Sequence, residues 1–156
     1  MRILFVCLGN ICRSPTAEGV MKQLVADAGL QSEIEVESAG TGGWHVGHPP
    51  DERATGAAAA RGIELLGEAR RVIRRDFDDF DLLIAMDRSN RDALLALAPD
   101  AEARRKVFLL REFGEGAARD VPDPYYGGEE GFEHVLDIVE RSCEALLEEV
   151  RERIAA

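Results

Sequence analysis

At 156 residues, with 46% hydrophobic and 31% charged side chains, the chain has the composition of a globular domain with a substantial core, which excludes a disordered or low-complexity protein. Its formal net charge of -11 argues against a nucleic-acid or anionic-membrane surface, since both need clustered lysine and arginine, and its apolar runs are too short to span a bilayer. Three cysteines at irregular spacing suit neither a disulfide framework nor a zinc site. Met1-Arg2 leads directly into a strand-like run, without the apolar region and cleavage site of a secretion signal, so a cytoplasmic location is expected.

Ile3-Leu4-Phe5-Val6 reads as a buried strand, followed by the tight loop Cys7-Leu8-Gly9-Asn10-Ile11-Cys12-Arg13-Ser14. Gly9 and Asn10 permit the positive backbone dihedrals of a compact turn. A helix is predicted from Pro15 to about Ala28, with Ser14 as N-cap, Pro15 at the first helical position and Gly29 as its stop. The alternation in Ile34-Glu35-Val36-Glu37-Ser38 predicts a second strand, which runs into a glycine-rich loop reaching Trp44.

Pro50 to Ala60 is Ala-rich and helical, stopped by Gly62, while residues 63 to 75 read as basic and irregular, with Phe77 and Phe80 anchoring a turn. Arg70, Arg71, Arg74 and Arg75 are read as a solvated basic turn, one member of which could steer phosphoproteins if it lies near the site. The third strand is Leu82 to Met86, with Asp87 and Ser89 at its exit, and Arg91 to Ala98 forms a helix ended by Pro99. Val107 to Leu110 is the fourth strand. Residues 121 to 128 are rich in proline and glycine and read as a surface loop. From about Glu129 to Ile154, apolar residues at helical spacing predict one long closing helix, with Cys143 in its buried stripe. The three histidines, His45, His48 and His134, have no ligand-like spacing and read as structural.

Four apolar strands alternating with helices predict an α/β fold: one domain over residues 1–156, with a four-stranded parallel sheet and helices on both faces. Ligands of such sheets sit beyond the carboxyl ends of the strands, where Cys7, Ser38 and Asp87 fall. The loop after strand one therefore reads as a phosphate-binding loop. A helix N-terminus, loop amides and the Ser14 hydroxyl favour negative charge at the Cys7 sulfur, and the planar fork of Arg13 can hold two oxygens of a tetrahedral oxyanion. Thiolate attack on phosphorus also needs an acid for the leaving oxygen, and Asp123, between two prolines on a separate loop, is the candidate; as carboxylate it would then activate water. Asp120 is the nearby residue most easily mistaken for it, and Asp87 reads as a structural support. With the charge held by Arg13 and loop amides, the chemistry requires no metal or other cofactor.

Residues 6 to 15, Val-Cys-Leu-Gly-Asn-Ile-Cys-Arg-Ser-Pro, resemble the signature of the low-molecular-weight protein tyrosine phosphatases. Further matches follow in the family's order at Ser38-Ala39-Gly40, Trp44-His45-Val46-Gly47, Met86-Asp87-Arg88-Ser89-Asn90 and Asp123-Pro124-Tyr125-Tyr126-Gly127. The resemblance implies Cys7 as nucleophile, Arg13 as phosphate clamp and Asp123 as general acid then base. It also implies a substrate site made by Leu8, Gly9, Asn10, Ile11, Cys12, Ser14, Trp44, Tyr125 and Tyr126, with Ser38 supporting Asn10. Cys12 would pair reversibly with Cys7 under oxidation. The implied partners are tyrosine-phosphorylated proteins or peptides, with inorganic phosphate as product. The family's arginine phosphatases carry Thr where this chain has Ile11, so an aryl ester is favoured. Thiol-dependent arsenate reductases need two further mobile cysteines, and a silent binding module is expected to lack the nucleophile or the acid. Gly42-Gly43 departs from the family pattern and is expected to make the Trp44 wall mobile.

Overall fold

A computed structural model of the chain describes residues 1–115 and 119–156. Its elements follow in the order β1 (Arg2–Cys7), α1 (Arg13–Asp27), β2 (Glu35–Gly40), α2 (Glu52–Ala59), α3 (Asp76–Asp79), β3 (Leu82–Ala85), α4 (Arg88–Leu97), α5 (Ala101–Arg104), β4 (Val107–Leu109), α6 (Leu110–Glu115) and α7 (Glu129–Ala155). The four strands form one all-parallel sheet in the order β2-β1-β3-β4, as the alternation of apolar runs and helices predicts. No helix among the described residues is long and apolar enough to cross a membrane.

Successive side chains of a strand point to opposite faces, and both inner strands are buried on both. Ile3, Phe5 and Cys7 of β1, with Leu82 and Ile84 of β3, face a core completed by α1, α2, α6 and α7. Leu4, Val6, Leu83 and Ala85 face the opposite core, closed by Phe77 of α3, Leu94 of α4 and Ala103 of α5. This parity puts the Cys7 thiol on the α1 side of the sheet. The parallel register pairs Cys7 with Gly40, so β1 and β2 end together at one rim, and β2 runs on to Gly40 rather than stopping at Ser38.

Several boundaries differ from the sequence reading, each for a local reason. Helix α1 starts at Arg13 with Cys12 in the N-cap position, and Ser14 lies in the first turn. Its hydroxyl is engaged with the loop before the helix and so does not cap it. Instead, the Cys12 carbonyl accepts from both the Thr16 amide and the Thr16 hydroxyl. Helix α4 starts at Arg88 rather than Arg91, because the Asp87 carboxylate accepts from the Asn90 amide and caps it. Strand β4 ends one residue early, where α6 begins, and α3, α5 and α6 are too short to carry a periodic signal. The stops hold: Gly29 and Gly62 adopt φ of +71° and +77°. The 63–75 segment is not wholly irregular, for Arg71 makes a parallel bridge to Gly40. Nor is the 121–128 loop all surface, since Val121 and Pro124 are buried.

Candidate active site

The strand order changes direction between β1 and β3, and the loops leaving these two strands flank the crevice there. The first of them bends sharply at Asn10, whose φ of +57° makes it the one non-glycine residue in the left-handed region among those described. The bend turns the Asn10 amide back onto the Cys7 sulfur at 3.3 Å. The Asn10 side chain then locks the loop from behind: its amide nitrogen donates to Ser14 Oγ at 2.9 Å and to Ser38 Oγ at 3.0 Å, and its carbonyl accepts from the Arg70 amide at 3.0 Å.

Both protons of the Asn10 amide are thereby committed, which sets the direction of every neighbouring bond. Ser14 accepts from Asn10, and its own proton is directed to the Cys7 sulfur at 3.0 Å in preference to the Ala39 carbonyl at 3.5 Å. Ser38 passes its proton on to Glu18 at 2.5 Å. The sulfur thus receives an amide and a hydroxyl proton at the mouth of α1, where the helix field favours negative charge.

Arg13 opens α1, and its guanidinium is nearly inaccessible. One terminal nitrogen donates to Asp87 at 2.6 Å and to the Val121 carbonyl at 3.1 Å, while the other lies 3.6 Å from Asp123 Oδ2. Burial works against its charge, but Cys7, Asp87 and Asp123 together outweigh this and hold the group protonated. The Asp123 carboxylate is held by its other oxygen, which accepts from the Tyr125 amide at 3.1 Å. Val121 anchors the loop by donating to the Met86 carbonyl at the end of β3. Asp120, by contrast, is committed to Arg88, receiving both its backbone amide and its side chain; the side-chain bond is the main reason its carboxyl titrates below the usual range.

Ten of the residues expected at the site line one cavity of about 400 Å³: Cys7, Leu8, Gly9, Ile11, Cys12, Arg13, Trp44, Asp123, Tyr125 and Tyr126. Asn10, Ser14 and Ser38 lie behind the loop and act on its shape. Trp44 and Tyr126 stand at the rim, 72% and 94% exposed, while Tyr125 packs edge-on against Tyr126. Gly42 is a seat for the indole: a Cβ there would fall 1.9 Å from the Trp44 ring. The glycine expected to loosen this wall is what lets the ring lie down. Cys12 is buried beneath the loop, and burial, followed by the charges of Asp51, Cys7 and Asp123, pushes its thiol up to about 12. Cys143 is wholly buried in α7, where desolvation raises its thiol far above the ordinary range.

Three residues of the site escaped the sequence reading. His45, read as structural, lines the cavity and stands 6.0 Å from the Tyr125 ring. Asp51 caps α2 and gives its amide to the Ile11 carbonyl, which ties α2 to the loop. Arg53 pairs with Asp51, donates to the carbonyls of Tyr125 and Gly127, and lies over the rings of Tyr125 and Phe132. The Asp at the head of the Ala-rich stretch was the available signal for the cap; nothing local announces Arg53. Among the described residues, no group of three or more His, Cys, Asp or Glu side chains is placed to hold a metal ion.

The family model for low molecular weight phosphotyrosine protein phosphatases matches residues 2–156. A low-molecular-weight protein-tyrosine-phosphatase of Streptomyces coelicolor is 46% identical over 156 residues, covering 98% of this chain and 95% of that one. The crystal structure of a protein tyrosine phosphatase from Entamoeba histolytica, with Hepes in its active site, superposes with a TM-score of 0.94 at 42% identity over 97% of each chain. The Bacillus subtilis arginine phosphatase YwlE, as a mutant with a phosphorylated active-site serine, superposes at 0.88 and 28% identity over 97% of this chain and 96% of its own. This chain belongs to the low-molecular-weight phosphotyrosine protein phosphatases, hydrolases of phosphoric monoesters.

Proposed function

We propose that the chain hydrolyses phosphotyrosine in proteins or peptides through a cysteinyl-phosphate intermediate, with Cys7 as nucleophile, Arg13 as phosphate clamp and Asp123 as general acid and then base. The observation that carries this reading is the approach of Asp123 to within 3.6 Å of the Arg13 guanidinium, from a loop more than a hundred residues away. A carboxyl group beside the phosphate clamp is where a leaving oxygen needs its proton.

The Cys7 thiolate attacks phosphorus as the bond from phosphorus to the phenolic oxygen breaks, and protonated Asp123 gives its proton to that oxygen. Charge on the three equatorial oxygens is met by the Arg13 fork, the loop amides and the first turn of α1. Asp123, now a carboxylate, takes a proton from the attacking water, the S–P bond breaks, and inorganic phosphate and thiolate are released. Leu8, Ile11, Trp44, Tyr125 and Tyr126 support an aryl substrate, since they give the cavity apolar walls above the thiol. The phosphorylated active-site serine of YwlE supports a covalent step at the corresponding position. Cys12, buried beneath the loop that carries Cys7, is the proposed partner for a protective disulfide.

Rates on an aryl phosphate, a phosphotyrosine peptide and a phosphoarginine peptide test the reading. Wild type is expected to hydrolyse the first two, Cys7→Ser to be inactive, and Asp123→Ala to lose about 10²–10⁴-fold in kcat, the range of general acid catalysis. Substantial activity in Cys7→Ser would end the mechanism, and preference for phosphoarginine would end the substrate assignment. Ile11→Thr is expected to shift selectivity toward phosphoarginine.

A further inference from the structure

In a chain of net charge -11, Arg71 is exposed and without an ion-pair partner among the described residues. Two of its three neighbours in the basic turn are paired, and Arg74, exposed like Arg71, lies beyond the bridge to the sheet. Arg70 forms a two-point pair with Asp76 at 3.0 and 3.1 Å, and Arg75 pairs with Asp79 at 3.4 Å. The backbone of Arg71 is also fixed relative to the nucleophile, as that of the ion-paired Arg70 is. Arg71 bridges to Gly40, and Gly40 pairs with Cys7 in the parallel register. Two strand spacings of about 4.8 Å therefore put its Cα roughly 10 Å to the side of Cys7, at the same rim of the sheet. The Val72 amide donates to the Gly40 carbonyl at 2.8 Å, and the Gly47 amide to Ala69 at 2.9 Å, so the segment is tied down on both sides.

The side chain leans toward the cavity wall. A Cβ built on Gly43 would meet Arg71 Cδ at 3.8 Å, Arg71 Nη1 at 3.9 Å and Val46 Cγ2 at 4.0 Å. Gly43 is thus the floor of a notch between a free guanidinium and an apolar side chain, next in sequence to the Trp44 that edges the cavity. We propose that Arg71 is a specificity-determining residue that receives the carboxylate of an acidic residue flanking the phosphotyrosine of the substrate. This rests on the phosphotyrosine reading above. An extended peptide advances about 3.3 Å per residue, so a side chain two or three positions from the phosphotyrosine spans the interval from Cys7 to Arg71. The acidity of the rest of the molecule repels such a peptide, which makes an uncompensated cation held at the rim decisive for its approach and orientation.

The test compares kcat/KM for a phosphotyrosine peptide with glutamates two and three positions to either side, the same peptide with alanines, and p-nitrophenyl phosphate, which has no flanks. Wild type is expected to favour the acidic peptide by about three- to fivefold at low salt, the scale of an exposed ion pair, with the preference fading at high salt. Arg71→Glu is expected to abolish or reverse the preference through KM, leaving kcat and the p-nitrophenyl phosphate rate unchanged. Arg151→Glu makes the same charge change near the far end of α7 and is expected to keep the preference. Equal rates of wild type on the two peptides, or equal loss of preference in both variants, would overturn the assignment. Failure of wild type on every phosphotyrosine substrate would instead overturn the reading on which it rests.

Discussion

Arg13 and Asp87 meet at 2.6 Å, joining the first turn of α1 to the residue that caps α4. The pair orients one end of the guanidinium, so the other is turned toward Asp123 and the cavity. Asp87→Asn separates this role from capping, since asparagine caps as well as aspartate but cannot match a charged pair. We expect Asp87→Asn to lower kcat/KM for aryl phosphates by about tenfold or more, on the scale of one hydrogen bond to a charged group. The stability of α4 should be retained. Steady-state kinetics beside a urea titration checks this, and loss of stability without loss of activity would place Asp87 in capping alone.

Trp44 and Gly42 form a second coupled pair. A methyl group at Gly42 would fall 1.9 Å from the indole ring, so Gly42→Ala must lift Trp44 from the rim. Trp44 is largely exposed, and little folding energy depends on it. Gly42→Ala and Trp44→Ala are each expected to raise KM for a phosphotyrosine peptide several-fold with kcat retained. In a double-mutant cycle Gly42→Ala should have no further effect once the indole is gone. Additive losses would mean that the glycine serves the backbone instead.

The parts of this molecule that sequence made legible are those with a short-range signature. Short apolar runs announced β1, β3 and β4, and alternation announced β2; Asn10 between Cys7 and Arg13 announced the turn, because left-handed backbone is costly for most other residues, whereas Gly9, expected to share that conformation, does not adopt it. What stayed hidden depends on distant partners. Arg53 reaches the Tyr125 carbonyl across 72 residues, and Arg13 reaches Asp87 across 74; charged residues are common enough that no local pattern singles these out. Ser14 shows why even a good local rule fails: a hydroxyl suited to capping α1 is drawn to the sulfur instead.

Asp51 gives the structure a pH dependence of definite sign. Its carboxyl is held below the usual range first by the side-chain hydrogen bond from Arg53, then by backbone amides of the α2 N-terminus. Because the folded form titrates lower than the unfolded one, this stabilisation is complete above the unfolded value of about 3.9 and is lost as pH falls through the folded value. Asp51→Ala is expected to cost about 1 kcal/mol at pH 7, the scale of a lost N-cap, and clearly less at pH 3. Urea unfolding of both proteins at the two pH values measures it; a cost that stays constant would assign the effect to packing rather than to the carboxylate.

Cys12 offers a kinetic test of its proposed protective role. Peroxide converts the Cys7 thiolate to a sulfenic acid with release of hydroxide, and attack by Cys12 on that sulfur forms the disulfide and releases water. The attacking species is the thiolate, and burial, the largest cause, holds the Cys12 thiol at about 12. Disulfide closure should therefore accelerate about tenfold per pH unit from 7 to 9 with no plateau, because the thiolate fraction rises in proportion. Mass spectrometry after a peroxide pulse, with a sulfenic-acid trap added at intervals, follows the conversion. Cys12→Ala should accumulate the trapped adduct and lose reductant-recoverable activity. A plateau below pH 9 would show that the attacking thiol is not the buried one.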